Sequence, residues 1–424
     1  MLVHSDRSHR IQQILERVIV GALFVYVVCS VIAISAMQTA ASSTALLTNA
    51  GLIWTILRGL SKMLRFSFIN SSKIWGGEER FVMDLAASLQ DLGHNVIVYG
   101  RPGGYFLQRV AAAGLSSQPL YGHLDYDLRA MWQIPSWPGE EIFIGLTPRD
   151  FKLLRLLAYG RPQAKFFWHL GVAYPAYTWE YRWLFRNERI RFIVPSAYLK
   201  SRIVSLFPQL ALRTFVLHFG VDVLEADVSL ARTKLAEASR LPAQTLFLGM
   251  FSRLMPWKGH TLLLSALREV KEAGIGFHLW IVGTGKEEDR LKKQVQDFGL
   301  TKVVTFTGYQ SDVVPWMAGM DVLLLPSDNE PFGYVILEGM ALGKTVLATA
   351  NGGPLEIIED GVDGVLVPSL EPSAWAAVIL DVARSTCKYA AMSHMARMSV
   401  QRKFSLQTMV ANFWKIIEGD YVIN

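Results

Sequence analysis

Two doubly wound parallel-sheet domains in tandem, an α/β architecture of two Rossmann-like halves, are what the sequence predicts from three observations. First, 424 residues exceed one ordinary core, so two domains are the natural division. Second, after Met63 short β-branched and aromatic runs alternate with segments of helical period. Third, the alternation restarts near the middle of the chain, and strands separated by helices imply parallel sheets with right-handed crossovers.

The elements follow in order. Val18 to Leu57 carries no charged residue, and "VIVGALFVYVVCSVIAISAM" (Val18 to Met37) reaches the roughly 20 apolar residues of a membrane helix. Basic residues flank both sides (Arg7, Arg10, Arg17, then Arg58, Lys62, Arg65), so charge settles no orientation. "MLRFSFINSS" from Met63 also reads as a natural start. Residues 1–62 are therefore open between a membrane anchor and an upstream extension.

The first domain, 63–235, opens with "FSFIN" (66–70), a helix over Glu78 to Leu92 with Phe81, Leu85, Leu89 and Leu92 on one face, and "NVIVY" (95–99). Later strands are 142–146, 165–168, 191–194 and 214–217. The charged, helix-prone stretch Asp227 to Arg240 marks the boundary. The second domain, 236–405, carries strands at 246–251, 277–282, 303–306, 321–326, 345–349 and 364–367. A last helix, Leu406 to Ile417, follows within 406–424. Such paired sheets bind ligands beyond the carboxyl ends of their strands, and two facing each other leave a cleft.

Composition narrows the function classes. At 51% hydrophobic and 18% charged, the chain folds rather than staying disordered. Cys29 and Cys387, far apart, offer neither a metal-ligand spacing nor a disulfide framework, which fits a reducing compartment. The net charge of +6 is concentrated: from Arg149 to Arg202 eleven basic residues face three acidic ones (Asp150, Glu180, Glu188). Interleaved with Phe, Trp, Tyr and Leu, they predict either an anionic membrane surface as partner or a solvated basic face. No nucleic-acid motif is present, so nucleic acid is not an expected partner.

Four stretches carry chemistry. "SRLMPWKGH" sets Arg253 and Lys258 five apart across a Pro-containing turn after a strand; Arg grips phosphate oxygens in a fork and Lys adds a point charge. "VGTG" (282–285) is a tight turn after the next strand, weak evidence alone. "DNEPFGYVILEGM" holds Glu330 and Glu338 eight apart, with Pro331 expected in a helix's first turn and Gly333 admitting a ligand to free amides. The two acids either bracket a ligand of nucleotide-sugar length or merely balance a helix dipole. His169, in "FFWHLGV", is as a lone histidine a core or surface residue; its place after a strand points it at the cleft.

In order and spacing, "SRLMPWKGH", "VGTGKEEDRL", "FTGYQSDV", "DVLLLPSDNEPFGYVILEGMALGKTVLAT" and "NGGPLEIIEDGVDGVLV" resemble the retaining GT-B glycosyltransferases of family 4. "FINSSKIWGGEERFVMDLAASLQDLGHNVIVYG" fits the opening of their first domain. The resemblance implies that Arg253 and Lys258 bind the donor diphosphate, Glu338 the nucleotide ribose and Glu330 the transferred sugar. The amides of Phe332 and Gly333 would face sugar and phosphate, Gly76 and Gly77 would approach donor and acceptor, and His169 would lie near the sugar. It implies retained anomeric configuration, a nucleotide-sugar co-substrate and no metal or other cofactor. Asp222 in "FGVD" matches the interdomain crossover, though Phe219 replaces a common Asn, Ser252 a Gly and Thr284 an Asp.

The implied acceptor is a glycan or lipid-linked saccharide of lipopolysaccharide or exopolysaccharide synthesis. The basic-apolar alternation of "TPRDFKLLRLLAYGRPQAKF" predicts association with the cytoplasmic face of a membrane. The rivals are a soluble transferase acting on a small sugar or sugar phosphate, a GT-B nucleotide-sugar epimerase, and a nicotinamide oxidoreductase. The last lacks G-x-G-x-x-G after the first strand, where the chain reads "NSSKIWGGEER".

Overall fold

The computed structural model describes residues 63–419 apart from 73–74, 122–127, 173–182, 184 and 243. The apolar segment expected within 1–62 lies outside these residues. Among the described residues no helix is long and apolar enough to cross a membrane.

The first sheet begins with β1 (Arg65–Asn70), α1 (Gly77–Asp91) and β2 (Asn95–Gly100), then α2 (Tyr105–Ala112), β3 (Ser117–Pro119) and α3 (Leu128–Gln133). It continues through β4 (Glu141–Gly145), α4 (Pro148–Gly160), β5 (Lys165–His169), β6 (Ile190–Val194), α5 (Ala197–Leu206) and β7 (Thr214–Val216). All pairings are parallel, in the order β3-β2-β1-β4-β5-β6-β7. β1 and β4 are buried along their whole length, as expected for central strands of a parallel sheet covered on both faces.

After α6 (Val228–Ser239) the second sheet is built from β8 (Leu246–Phe251), α7 (His260–Glu272), β9 (Phe277–Val282), α8 (Glu288–Asp297), β10 (Val304–Gly308) and α9 (Val314–Gly319). Next come β11 (Val322–Leu325), α10 (Tyr334–Ala341), β12 (Thr345–Thr349), α11 (Pro354–Ile357) and β13 (Val365–Val367). Its order, β10-β9-β8-β11-β12-β13, is again wholly parallel. α12 (Pro372–Arg384), α13 (Thr386–Lys403) and α14 (Leu406–Glu418) complete the chain.

α6, over which the boundary was expected, is one continuous helix. Arg232 donates to the carbonyls of Gly319 and Thr245 and pairs with Asp321 at 2.7 Å, which ties α6 to the second domain. α14 instead packs on the first: Phe413 and Trp414 stack edgewise or tilted on Phe66 of β1, and Phe413 also meets Phe167 of β5. β3 escaped the sequence reading because a three-residue edge strand, Ser-Gln-Pro, has no apolar alternation.

Candidate active site

β8 and β11 are neighbours, so the loops leaving their carboxyl ends lie side by side. The first carries Arg253, then a 3-10 turn, Pro256–Lys258; the second carries Glu330 into α10. Lys258 Nζ lies 2.6 Å from Glu330 Oε2, with both side chains largely enclosed, and its ammonium sits 4.1 Å above the Trp257 ring. Asp328 N–H donates to Trp257 O at 2.8 Å, locking the two loops together.

The glycine turn of 282–285 has a defined task. Ser252 N–H donates to Val282 O and Leu254 N–H to Thr284 O. Gly283, at φ 141°, lies so close to Ser252 O that a Cβ would overlap it. The main chain on either side of Arg253 is thereby held, and its guanidinium is left exposed with no hydrogen-bond or ion-pair partner among the described residues. Behind Glu330, Gly353 N–H donates to its carbonyl at 2.8 Å.

Gly333 caps α10 at φ 102°, a conformation that favours glycine. The helix therefore starts at Tyr334, and Pro331 lies in the loop before it, contrary to the expectation that it occupies the first turn. Ser196 Oγ holds Pro331 O at 2.5 Å. The Phe332 ring is buried among His218, Phe219 and Phe404, so only its backbone can address a ligand. Glu338 opens the second turn. Burial pushes its carboxyl up to about 7, Arg80 opposes this, and Asp84 and Asp312 add to it.

In the first domain Gly76 is exposed at the start of α1, and Gly77 approaches the second domain closely: a Cβ there would sit 3.2 Å from Tyr334 Cβ. Asp150 organises the neighbouring loops, its carboxylate accepting from the N–H groups of Ser71, Leu146 and Thr147. His169 ends β5 but has no open face. Its ring stacks on Phe81 at 4.6 Å and lies tilted against Phe219 at 5.6 Å. Neither ring nitrogen has a hydrogen-bond partner, and burial pushes its pKa down to about 3. The histidine expected to face the cleft thus stands one aromatic layer behind it.

Arg253, Lys258, Glu330 and the Phe332–Gly333 backbone come together, with Glu338 one turn into α10. Gly77 meets this group through Tyr334, and Gly76 directly precedes Gly77. Three contributors escaped the sequence reading. Tyr334 Oη donates to Asp84 Oδ2 at 2.6 Å across the domains. Glu356 accepts from Ala197 N–H, Tyr198 N–H and, at 3.0 Å, His218 Nε2. Glu78, described below, is the third. A tyrosine in an apolar helix and a glutamate after Gly-Gly carry no signal that marks them in sequence.

Residues 231–398 match the family described as glycosyl transferases group 1. The lipopolysaccharide core biosynthesis glycosyltransferase LpsE of Rhizobium meliloti is 28% identical over 176 residues, 42% of this chain and 51% of that protein. The D-inositol 3-phosphate glycosyltransferase of Mycolicibacterium gilvum is 34% identical over 224 residues, 50% of this chain and 49% of that protein. The chain thus spans about half the length of these curated relatives. Anabaena HepE, in its crystal structure with UDP and glucose, superposes with a TM-score of 0.72 at 22% identity, covering 83% of this chain and 99% of HepE. The fold is GT-B.

The glycosyl transferases group 1 segment holds Arg253, Lys258, Glu330, Phe332, Gly333 and Glu338; Gly76, Gly77 and His169 lie before it. Among the described residues no group of His, Cys, Asp or Glu could hold a metal ion. The chain's one Asp-x-Asp pair, Asp125 and Asp127, lies outside the described residues.

The basic region reads differently in three dimensions. Lys152 and Arg155 are buried, and Arg155 lies 3.6 Å over the Trp183 ring. Arg161 pairs with Glu141 at 2.8 Å, Lys165 with Glu140 at 2.8 Å, and Arg189 donates to the carbonyls of Ala158, Arg161, Pro162 and Ala164. Arg65, counted as a membrane flank, is buried in β1 and donates to Tyr99 Oη. These cations hold the first domain together, so α4 is not the basic interfacial helix that its alternation predicted.

Proposed function

We propose that the protein is a retaining glycosyltransferase that moves a sugar from a nucleotide-sugar donor to a hydroxyl of a glycan or lipid-linked acceptor without a metal. The observation that carries this reading is an exposed Arg253, without a hydrogen-bond or ion-pair partner among the described residues, beside the Lys258–Glu330 ion pair at adjacent strand ends. Two cations on rigid loops are suited to a diphosphate, and they act where charge develops as the sugar–phosphate bond breaks.

Lys258 would exchange Glu330 for a phosphate oxygen, which frees the Glu330 carboxylate to accept hydroxyls of the transferred sugar. Glu338 would serve the ribose, and the amides at the start of α10 the sugar and phosphate. The anomeric C–O bond to phosphate breaks, the acceptor oxygen bonds to the same face, and its proton passes to a leaving phosphate oxygen. Contacts such as Tyr334–Asp84 would hold the domains closed and exclude water.

Relatives named for lipopolysaccharide core synthesis support a role in cell-surface polysaccharide assembly and a lipid-linked acceptor at the cytoplasmic face of a membrane. An anionic membrane partner then rests on that acceptor and not on the basic region. The second reading, a transferase for a small sugar phosphate, is favoured by the relative named for D-inositol 3-phosphate.

Thermal-shift titration with UDP-, GDP- and ADP-sugars tests the donor, and NMR of the product's anomeric proton tests retention. A protein unaffected by all three donor classes is not this enzyme. Flotation of the full chain with anionic vesicles separates the lipid-linked from the small-acceptor reading.

A further inference from the structure

Glu78 belongs to neither cluster that the sequence singles out. It is the second residue of α1, directly after Gly76 and Gly77. Its carboxyl lies against the main chain of Gly171, two residues past His169. A Cβ at Gly171 would overlap that carboxyl, so the missing side chain is what admits it. From the second domain the charge of Arg253 acts on the same carboxyl, and from its own helix Glu79 does. Glu78 thus lies against the histidine-bearing loop, where the charge of the cation expected to take the donor diphosphate reaches it, and it stays half-buried rather than sealed.

We propose that Glu78 is a specificity-determining residue whose carboxyl hydrogen-bonds a hydroxyl of a neutral sugar ring lying between Gly171 and Arg253. This rests on the transferase reading above. A carboxyl group has about four lone-pair positions, and the Gly171 main chain that lies against it can serve one of them. Burial, reinforced by Glu79, pushes the group up to about 8, against the pull of Arg253. In its neutral form it both donates and accepts, which matches a hydroxyl, and it does not repel a diphosphate on Arg253. A carboxylated or phosphorylated ring would bring a negative charge beside Glu79 into the desolvated surroundings that keep Glu78 neutral, which disfavours it at this position.

The hydroxyl belongs either to the transferred sugar or to the acceptor, and two measurements on the full chain separate these. The first is calorimetric binding of UDP, GDP and ADP against UDP-glucose, GDP-mannose and ADP-glucose. The second is binding of the nucleotide-loaded protein to immobilised neutral and acidic glycans. If the ring is the transferred sugar, Glu78→Ala weakens the nucleotide sugar at least fivefold and leaves the parent nucleoside diphosphate unchanged. If it is the acceptor, Glu78→Ala leaves both nucleotides unchanged and lowers binding to neutral glycans at least fivefold. Glu78→Gln, which keeps the hydrogen-bonding shape, restores most of either loss. Glu78→Ala within twofold of wild type in both measurements overturns the proposal. So does equal weakening of nucleotide and nucleotide sugar, which marks a structural role. Wild type that binds none of the six nucleotides removes the transferase reading itself, and the inference with it.

Discussion

In the second domain, Arg253, Lys258 and Glu330 stand on loops tied by main-chain bonds to Val282, Thr284, Trp257 and Gly353. In the first, His169 is placed by the side chains of Phe81 and Phe219, and Glu78 by the main chain of the distant Gly171 loop. The donor wall therefore carries its geometry in local backbone and glycine spacing. The opposite wall carries it in packing, so its residues can change role without a visible change in motif.

That contrast can be broken first at Lys258. Lys258→Ala should lower turnover on the order of a hundredfold, as for loss of a group that stabilises developing charge. It should also cost about 3 kcal/mol of stability, since Glu330 is then left enclosed and unpaired. Glu330→Gln should match it in turnover; near-normal rates in both variants would undo the donor-wall assignment.

His169→Phe probes the opposite wall. The ring sits in an aromatic stack with both nitrogens unpartnered, so Phe should leave the melting temperature unchanged or slightly higher. A large loss of turnover at preserved stability would show that a ring nitrogen meets the sugar when donor is bound. Full activity would make His169 a core residue.

Glu338→Ala should act mainly on binding, weakening the donor about tenfold with a smaller change in kcat; the reverse pattern would remove its ribose role. Tyr334→Phe removes the bond to Asp84 between the domains and should cost about 1 kcal/mol, read from denaturant unfolding.

A further test is a pH dependence. Glu78 binds its proton more tightly in the folded protein, at about 8 against an ordinary 4.5, so the native state loses stability as pH rises between those values. Glu78→Gln has no such loss. Its melting temperature should gain on wild type from pH 5 to pH 8 and then run parallel; a constant difference would mean that the carboxyl is not held neutral.

The strands were legible because each is an apolar run between turn residues, and "LFLGMF" and "TVLAT" appear at the predicted residues. Pro331 misled because its fixed φ suits a helix start, while the positive φ of Gly333 delays the helix to Tyr334. The cations of 149–202 misled for another reason. Alternation with apolar residues is shared by an interfacial helix and by one whose cations turn inward, as Arg155 of α4 does onto the Trp183 ring and carbonyl. Sequence spacing along one helix cannot tell these apart, since the partners come from other elements.

By itself, the sequence determined two parallel sheets and the charged set of Arg253, Lys258, Glu330 and Glu338. The sheets follow from local periodicity, whereas spacing left the two acids open and the charged set was singled out by its resemblance to a known family's motifs. Only the tertiary structure decided that Lys258 is held by Glu330, that His169 stacks on Phe81, that Tyr334 bridges the domains and that Glu78 lies against Gly171. Each is a meeting of residues far apart in the chain. Burial and charge, which set their chemistry, exist only once the two domains are packed together.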